Sequence, residues 1–172
     1  MPEPPARAIL LSGPVGSGKT TVLRAIGDEL DDGDRPYALV DLDWLAWVRP
    51  APESGATVAD LLVRNLAHVW TEFRAAGVEL VVLARFAPSG EEVDAIRAAL
   101  PGAELFVVSL IAPRDVLEER VHARDRGAEL ARHLEAIAHG DAGAIADAVV
   151  VNAGDRDPAA VAHEVLTLAG AP

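Results

Sequence analysis

The 172-residue chain has no cysteine, one methionine, a single lysine and an aromatic content of only 4%. Without cysteine there can be no disulfide, no thiolate nucleophile and no thiolate metal site, so any metal falls to oxygen or imidazole ligands, as hard cations such as Mg²⁺ prefer. No apolar run approaches the roughly 20 residues that cross a bilayer. The opening MPEPPARAILLS carries no basic leader, no long apolar core and no small-residue cleavage site, and the expectation is a cytoplasmic protein with no membrane partner. Excess positive charge is missing too. A net charge of −12 argues against a nucleic-acid partner, which selects a basic face able to displace counterions. It leaves a phosphorylated small molecule open, because charges beyond about 8 Å are largely screened at physiological salt.

An apolar fraction of 51% over this length suggests one compact domain spanning 1–172. Apolar runs alternate with helical patterns. RAILLS reads as a strand, and after it Val22, Leu23, Ile26 and Leu30 share one helical face. PYALVDLD reads as a second strand, followed by a long helix with Val58, Leu61, Leu62, Leu66, Val69 and Phe73 on one stripe, closed by Gly77. VELVVLA is a third strand, and Ser89 with Glu92 has capping-box spacing for the helix after it. AELFVVSLIA is a fourth, leading through Pro113 into the helix PRDVLEERVHARDRG. DAVVVN is a short fifth, and Asp157 with Pro158 opens a final helix whose apolar face includes Val161, Val165 and Leu168. The Pro-rich first residues are the one stretch read as irregular. Doubly buried strands separated by helices predict an α/β, three-layer fold with a five-stranded parallel sheet flanked by helices. Ligands of such sheets bind at the carboxyl ends of the strands.

At the carboxyl end of the first strand, Gly13, Pro14, Val15, Gly16, Ser17, Gly18, Lys19 and Thr20 match G-x-x-x-x-G-K-[ST] at every fixed position. Glycines let the backbone wrap a phosphate with its N–H groups inward, and the helix N-terminus adds partial positive charge. Lys19 reaches the β- and γ-phosphates in such a loop and the Thr20 hydroxyl ligates Mg²⁺, with Thr21 completing the nucleotide-binding set. A glycine-rich turn that merely joins strand to helix is the alternative. Lysine used only here, in a chain whose other basic residues are all arginine, favours a compact ammonium with a task.

Asp41 and Asp43 fall at the end of the second strand, where alternation puts both carboxylates on one side of an extended segment. A solvated strand end with a helix cap is the alternative. Arg120 and Arg124, four apart, share a helix face, with Arg126 just beyond; pairing with Glu118 or Glu119 is the plainer reading. Arg85 and Phe86 end the third strand, where Arg85 is placed to bind an anionic acceptor or the γ-phosphate, or else to form a surface ion pair. Trp44 and Trp47 offer an aromatic wall for a ring-bearing acceptor, although core packing is the commoner fate of tryptophan. His68, His122, His133, His139 and His163 show no metal-ligand spacing and read as ordinary surface or helix residues.

With the glycine-rich loop, the acidic pair and the arginine-bearing helix in this order, the whole chain resembles the small P-loop kinases of metabolites and nucleotides, such as shikimate, gluconate, adenylylsulfate and chloramphenicol kinases. The resemblance implies a P-loop NTPase fold with a small lid around 114–140 and transfer of the γ-phosphate of Mg-ATP to a small-molecule acceptor. It assigns catalysis to Lys19, Asp43 and Arg124: Asp43 takes or orients the acceptor hydroxyl and Arg124 reaches the transferring phosphates. It further gives Asp41 a water-mediated hold on Mg²⁺ and Arg120 a place against the adenine. Asn152 and Gly154, in NAGDR, would line the adenine site, although the stretch is equally a good turn. Asp43, Trp44 and Arg85 form the implied acceptor-binding set. The implied partners are ATP and an unidentified acceptor, with the protein a monomer or homodimer. The third strand lacks the terminal aspartate of a standard Walker B motif and the paired glycines of shikimate kinases, and neither an N-K-x-D guanine motif nor the arginine finger of a ring ATPase is apparent. A nucleotide-binding regulatory or interaction module without efficient transfer is the rival reading.

Overall fold

The computed structural model describes residues 6–140 and 146–171, so the Pro-rich start expected to be irregular lies outside the described residues. Among those described are five strands, β1 (Ala6–Ser12), β2 (Tyr37–Asp41), β3 (Leu80–Ala84), β4 (Ala103–Ile111) and β5 (Ala148–Val151). The α-helices are α1 (Lys19–Leu30), α2 (Leu42–Leu45), α3 (Val58–Ala75), α4 (Gly90–Ala98), α5 (Arg114–Arg124), α6 (Gly127–His139) and α7 (Pro158–Leu168). The strands form one parallel sheet in the order β2-β3-β1-β4-β5, with β1 at its centre. In register, Leu11 pairs with Ala84 and Ala84 with Asp41, so the carboxyl ends of β1, β3 and β2 finish level on one edge. That edge holds the site.

Each strand sends alternate residues to opposite faces, and each face has its own core. Leu10, Val81, Leu83 and Val107 pack under α3 and α4 with Leu62, Leu66, Trp70 and Ile96. Ile9, Leu11, Val82, Val108 and Val150 pack under α1 and α7 with Val22, Ile26, Val161 and Val165. Each such side chain, fully buried, contributes about 1.5–3 kcal/mol. The three-layer α/β architecture expected from the apolar runs is the observed one.

Local details differ. Strand β2 stops at Asp41 instead of running through Asp43, because the Asp41 carboxylate accepts the Asp43 N–H at 3.1 Å and caps the four-residue helix α2. Strand alternation therefore does not relate the two carboxylates. On α3 the buried stripe is Leu62, Leu66 and Trp70, with Val58 exposed; the Trp70 indole reaches the core because its N–H donates to the Pro101 carbonyl at 3.0 Å. Thr57 and Asp60 cap this helix reciprocally, whereas on α4 Ser89 caps but the Glu92 carboxylate accepts Arg85 Nε instead. Leu168 is exposed near the end of α7. Helix α6 is an element that the apolar pattern did not announce, and it packs on α5 around Leu117, Val121 and Ile137. None of the helices among the described residues is long and apolar enough to cross a membrane.

Candidate functional site

The loop between β1 and α1 turns on Gly13, Gly16 and Gly18, all with positive φ. Gly13 shows why the position is closed to other residues: at φ +138° a Cβ would lie 2.2 Å from the Leu110 carbonyl oxygen of β4. At Gly18 a Cβ would meet the Asn152 side-chain nitrogen at 2.5 Å. The loop is thus wedged between the ends of β1, β4 and β5. Asn152, buried just past β5, donates its amide N–H to the Ser17 carbonyl at 2.8 Å, and Arg120 on α5 donates to the Gly16 carbonyl at 3.1 Å. Two of the three residues expected at the adenine, Asn152 and Arg120, thus bond the backbone of the loop. Gly154 lies 3.5 Å, measured from an added Cβ, from Val116 of α5.

Lys19, the first residue of α1, folds back so that its ammonium donates to the carbonyls of Gly13 at 2.8 Å and Pro14 at 3.1 Å. Burial lowers its pKa from 10.5 to about 8; Asp43 and Asp41 pull the other way and Arg124 adds to the decrease. Four expected functional side chains thus share one electrostatic neighbourhood. The next residue makes the direct link: Thr20 Oγ1 donates to Asp41 Oδ2 at 3.1 Å. Asp43, half a turn into α2, faces the end of β3 instead, where its carboxylate accepts Arg85 at 2.9 Å. Arg85 also pairs with Glu92 at 2.5 Å, so of its two anticipated fates the ion pair is realised. Pro14 and Val15 lie in the loop and Thr21 in the first turn of α1.

Arg124, the last residue of α5, is clamped by Asp125, whose two carboxylate oxygens accept at 2.7 and 3.0 Å. Asp125 is buried and its second oxygen also bonds His133 of α6 at 2.6 Å. His133, read as an ordinary surface or helix residue, lies on α6 and bonds Asp125 because the turn at residues 125 and 126 folds α6 back on α5. Glu129 joins them, the three ligand-type atoms lying within 4.8 Å of one another, but Arg124 already satisfies both oxygens of Asp125. Arg126 spends its guanidinium on the carbonyls of His122 and Asp125. Sequence reasoning passed over Asp125; its spacing of four and eight to Glu129 and His133 is the signal that could have flagged it, once α6 was known to be a helix.

The Arg124 guanidinium, followed by His133, holds the Asp125 carboxyl well below the usual carboxylate range. Because the folded state resists protonation there, the stabilisation is complete above about pH 4, the ordinary aspartate value, and fades as pH falls below it. Asp125→Asn is accordingly expected to lose about 1.5–3 kcal/mol at pH 7, the worth of a bond to a charged group, and less at pH 3. Urea unfolding at both pH values checks this, and an equal loss at each would show the ion pair to be irrelevant.

Trp44 and Trp47 are not in the core. They are 69% and 77% exposed, with ring centroids 4.8 Å apart and planes inclined by 31°. The core reading fails because α2 is only four residues long and turns its apolar side, Leu42, inward while Trp44 points out.

Against known proteins, the family model for an AAA domain matches residues 9–144. No curated protein matches the chain significantly in sequence. Among solved structures, the chain is similar to the APS kinase of Mycobacterium tuberculosis in complex with AMPPNP and APS, with a TM-score of 0.65 and 22% identity, covering 96% of this chain and 98% of that one. An unliganded sugar kinase from Janibacter sp. matches with a TM-score of 0.64 at 21% identity over 95% of this chain and 94% of that one. A gluconokinase from Sinorhizobium meliloti matches with a TM-score of 0.56 at 26% identity over 96% and 92%.

Proposed function

From the premise that the chain belongs to the AAA domain family and has the fold of small P-loop kinases, we propose that it transfers the γ-phosphate of ATP to a small-molecule acceptor. The observation that carries this reading is the Thr20–Asp41 bond, which ties the phosphate loop to the acidic segment and leaves Asp43 beside it. A turn that only joined a strand to a helix would have no need of a half-buried ammonium and a hydroxyl–carboxylate pair at the start of that helix.

Thr20 and Asp41 supply two oxygen donors in contact, a set suited to Mg²⁺, which favours oxygen ligands and charged carboxylates. Bound there with the nucleotide, Mg²⁺ would neutralise charge on the phosphate oxygens. The chain's own residues do the rest. Loop amides and Lys19 hold the β- and γ-phosphates. Asp43, steadied by Arg85, accepts the proton of the acceptor hydroxyl as its oxygen bonds the γ-phosphorus and the bond to the ADP oxygen breaks. Arg124, presented by Asp125 at the end of α5, adds positive charge near the transferring group, and closure of α5 and α6 as a lid would exclude water.

The direct test is ADP release from Mg-ATP across nucleoside, sugar-acid, shikimate-like and antibiotic alcohols, with Lys19→Ala as the blank. Release that rises with one acceptor and vanishes in the blank is expected. Asp43→Asn should cut that rate by about 10²-fold with ATP affinity nearly unchanged, because it removes the proton acceptor and not the phosphate grip. Tight ATP binding with no acceptor-dependent release would favour a nucleotide-sensing module, a reading that draws on β3 ending in Ala84, with Arg85 next, where an aspartate would stand in a standard Walker B motif.

A further inference from the structure

The three tryptophans of the chain have opposite fates: Trp70 is buried with its indole N–H satisfied, while Trp44 and Trp47 stand in water. Tryptophan is usually largely buried, and two in mutual contact at the surface leave an apolar face exposed without need for the core. Both indoles are largely exposed, so a third ring can reach them. Position gives the pair meaning. Trp44 directly follows Asp43 on α2, the short helix that Asp41 caps, and Trp47 comes two residues after its end, so the aromatic pair belongs to the same short segment as the carboxylate.

Charge narrows the occupant. Arg85 is already paired with both Asp43 and Glu92, so it has no free charge with which to recruit an anionic acceptor, and Asp41 adds a further carboxylate nearby. The large apolar side chains exposed along this stretch are Trp44, Trp47 and Val48, flanked by Asp43 and Arg49. Such a patch is far smaller than the roughly 20–30 residues a side of a stable protein interface, and it suits one small ring.

We infer that Trp44 and Trp47 form an acceptor subsite for a small molecule that carries a planar aromatic ring and a hydroxyl, the ring against the indoles and the hydroxyl toward Asp43. This rests on the phosphotransfer reading for the role of Asp43, but ring binding is measured without it. The full chain, saturated with AMPPNP, is titrated with pyridoxine, uridine and 1-phenyl-1,2-ethanediol as ring-bearing probes and with gluconate and glycerol as ringless ones. Acrylamide quenching of tryptophan emission reports binding, and ADP release from Mg-ATP is followed in parallel.

At least one ring-bearing probe is expected to protect the emission and the ringless ones to leave it unchanged. Trp44→Ala/Trp47→Ala should weaken that probe about tenfold or more, the scale of a lost aromatic stack, with the AMPPNP affinity and thermal midpoint retained. Trp44→Phe/Trp47→Phe should restore most of the affinity. No protection by any ring-bearing probe at millimolar concentration overturns the inference, as does an acceptor whose KM the double alanine variant leaves unchanged. Self-association that the alanine variant abolishes would assign the pair to a second copy of the chain and overturn it equally. Ring binding without ADP release would leave this subsite standing and sink the phosphotransfer reading instead.

Discussion

Lys19→Ala is expected to abolish nearly all phosphotransfer, by on the order of 10²–10³ in kcat, the loss seen when one preorganised donor to a developing charge is removed, together with much of the nucleotide affinity. Lys19 is the chain's only lysine, and its ammonium is held at the centre of the loop by the Gly13 and Pro14 carbonyls. Its charge is maintained there against burial, since the surroundings lower its pKa to about 8. A charged group kept where the protein disfavours it lends no net stability, so the alanine variant should melt no lower than the parent. Calorimetric titration with AMPPNP, ADP release and a thermal melt measured together test this. Unchanged binding and turnover would sink the phosphate-loop assignment, and a collapsed melt would show Lys19 to be structural.

Gly13→Ala should be the most damaging single methyl in the site. A non-glycine residue at φ +138° costs about 1–3 kcal/mol in backbone strain, and a Cβ 2.2 Å from the backbone oxygen of Leu110 forces either the loop or β4 to move. Overpacking of this kind costs roughly another 1–3 kcal/mol. The sum, about 2–6 kcal/mol, corresponds to a fall in thermal midpoint of at least roughly 4–8 °C for a chain of this size. Because the atom in the way is backbone and not a flexible side-chain tip, rotamer changes cannot relieve it. Nucleotide affinity should fall too, since the loop can no longer seat on β4. A melt within a degree of the parent would mean that the loop rearranges freely, contrary to its wedged position between β1, β4 and β5.

Much of this site could be read before any coordinates. The glycine spacing and Lys19–Thr20 announced a tight loop between β1 and α1, where Gly13, Gly16 and Gly18 do take positive φ and Lys19 folds back on the loop carbonyls. The sheet was legible for a similar reason: strands buried on both faces read as continuous apolar runs such as LVVLA, and burial on two sides leaves no polar alternation to confuse them. Val22, Leu23, Ile26 and Leu30 likewise had to face inward once α1 was a helix against the sheet.

Tertiary structure alone decided the rest. Asp41 and Asp43 look like alternate residues of a strand, but one hydrogen bond from the Asp43 N–H to the Asp41 carboxylate ends β2 and sends the two side chains to different partners, Thr20 and Arg85. Asn152 is about 135 positions from Ser17 in the chain and bonds its carbonyl only because β5 is added at the far edge of the sheet. Asp125 and His133 meet because α6 doubles back on α5, and Trp44 stays outside because the short helix α2 turns Leu42 inward, with Trp47 exposed just past its end. Residue types and local spacing fix what a segment prefers by itself, through propensity and periodicity. Partners distant in sequence, and the side of an element left facing water, follow from how the layers pack, which no local pattern encodes.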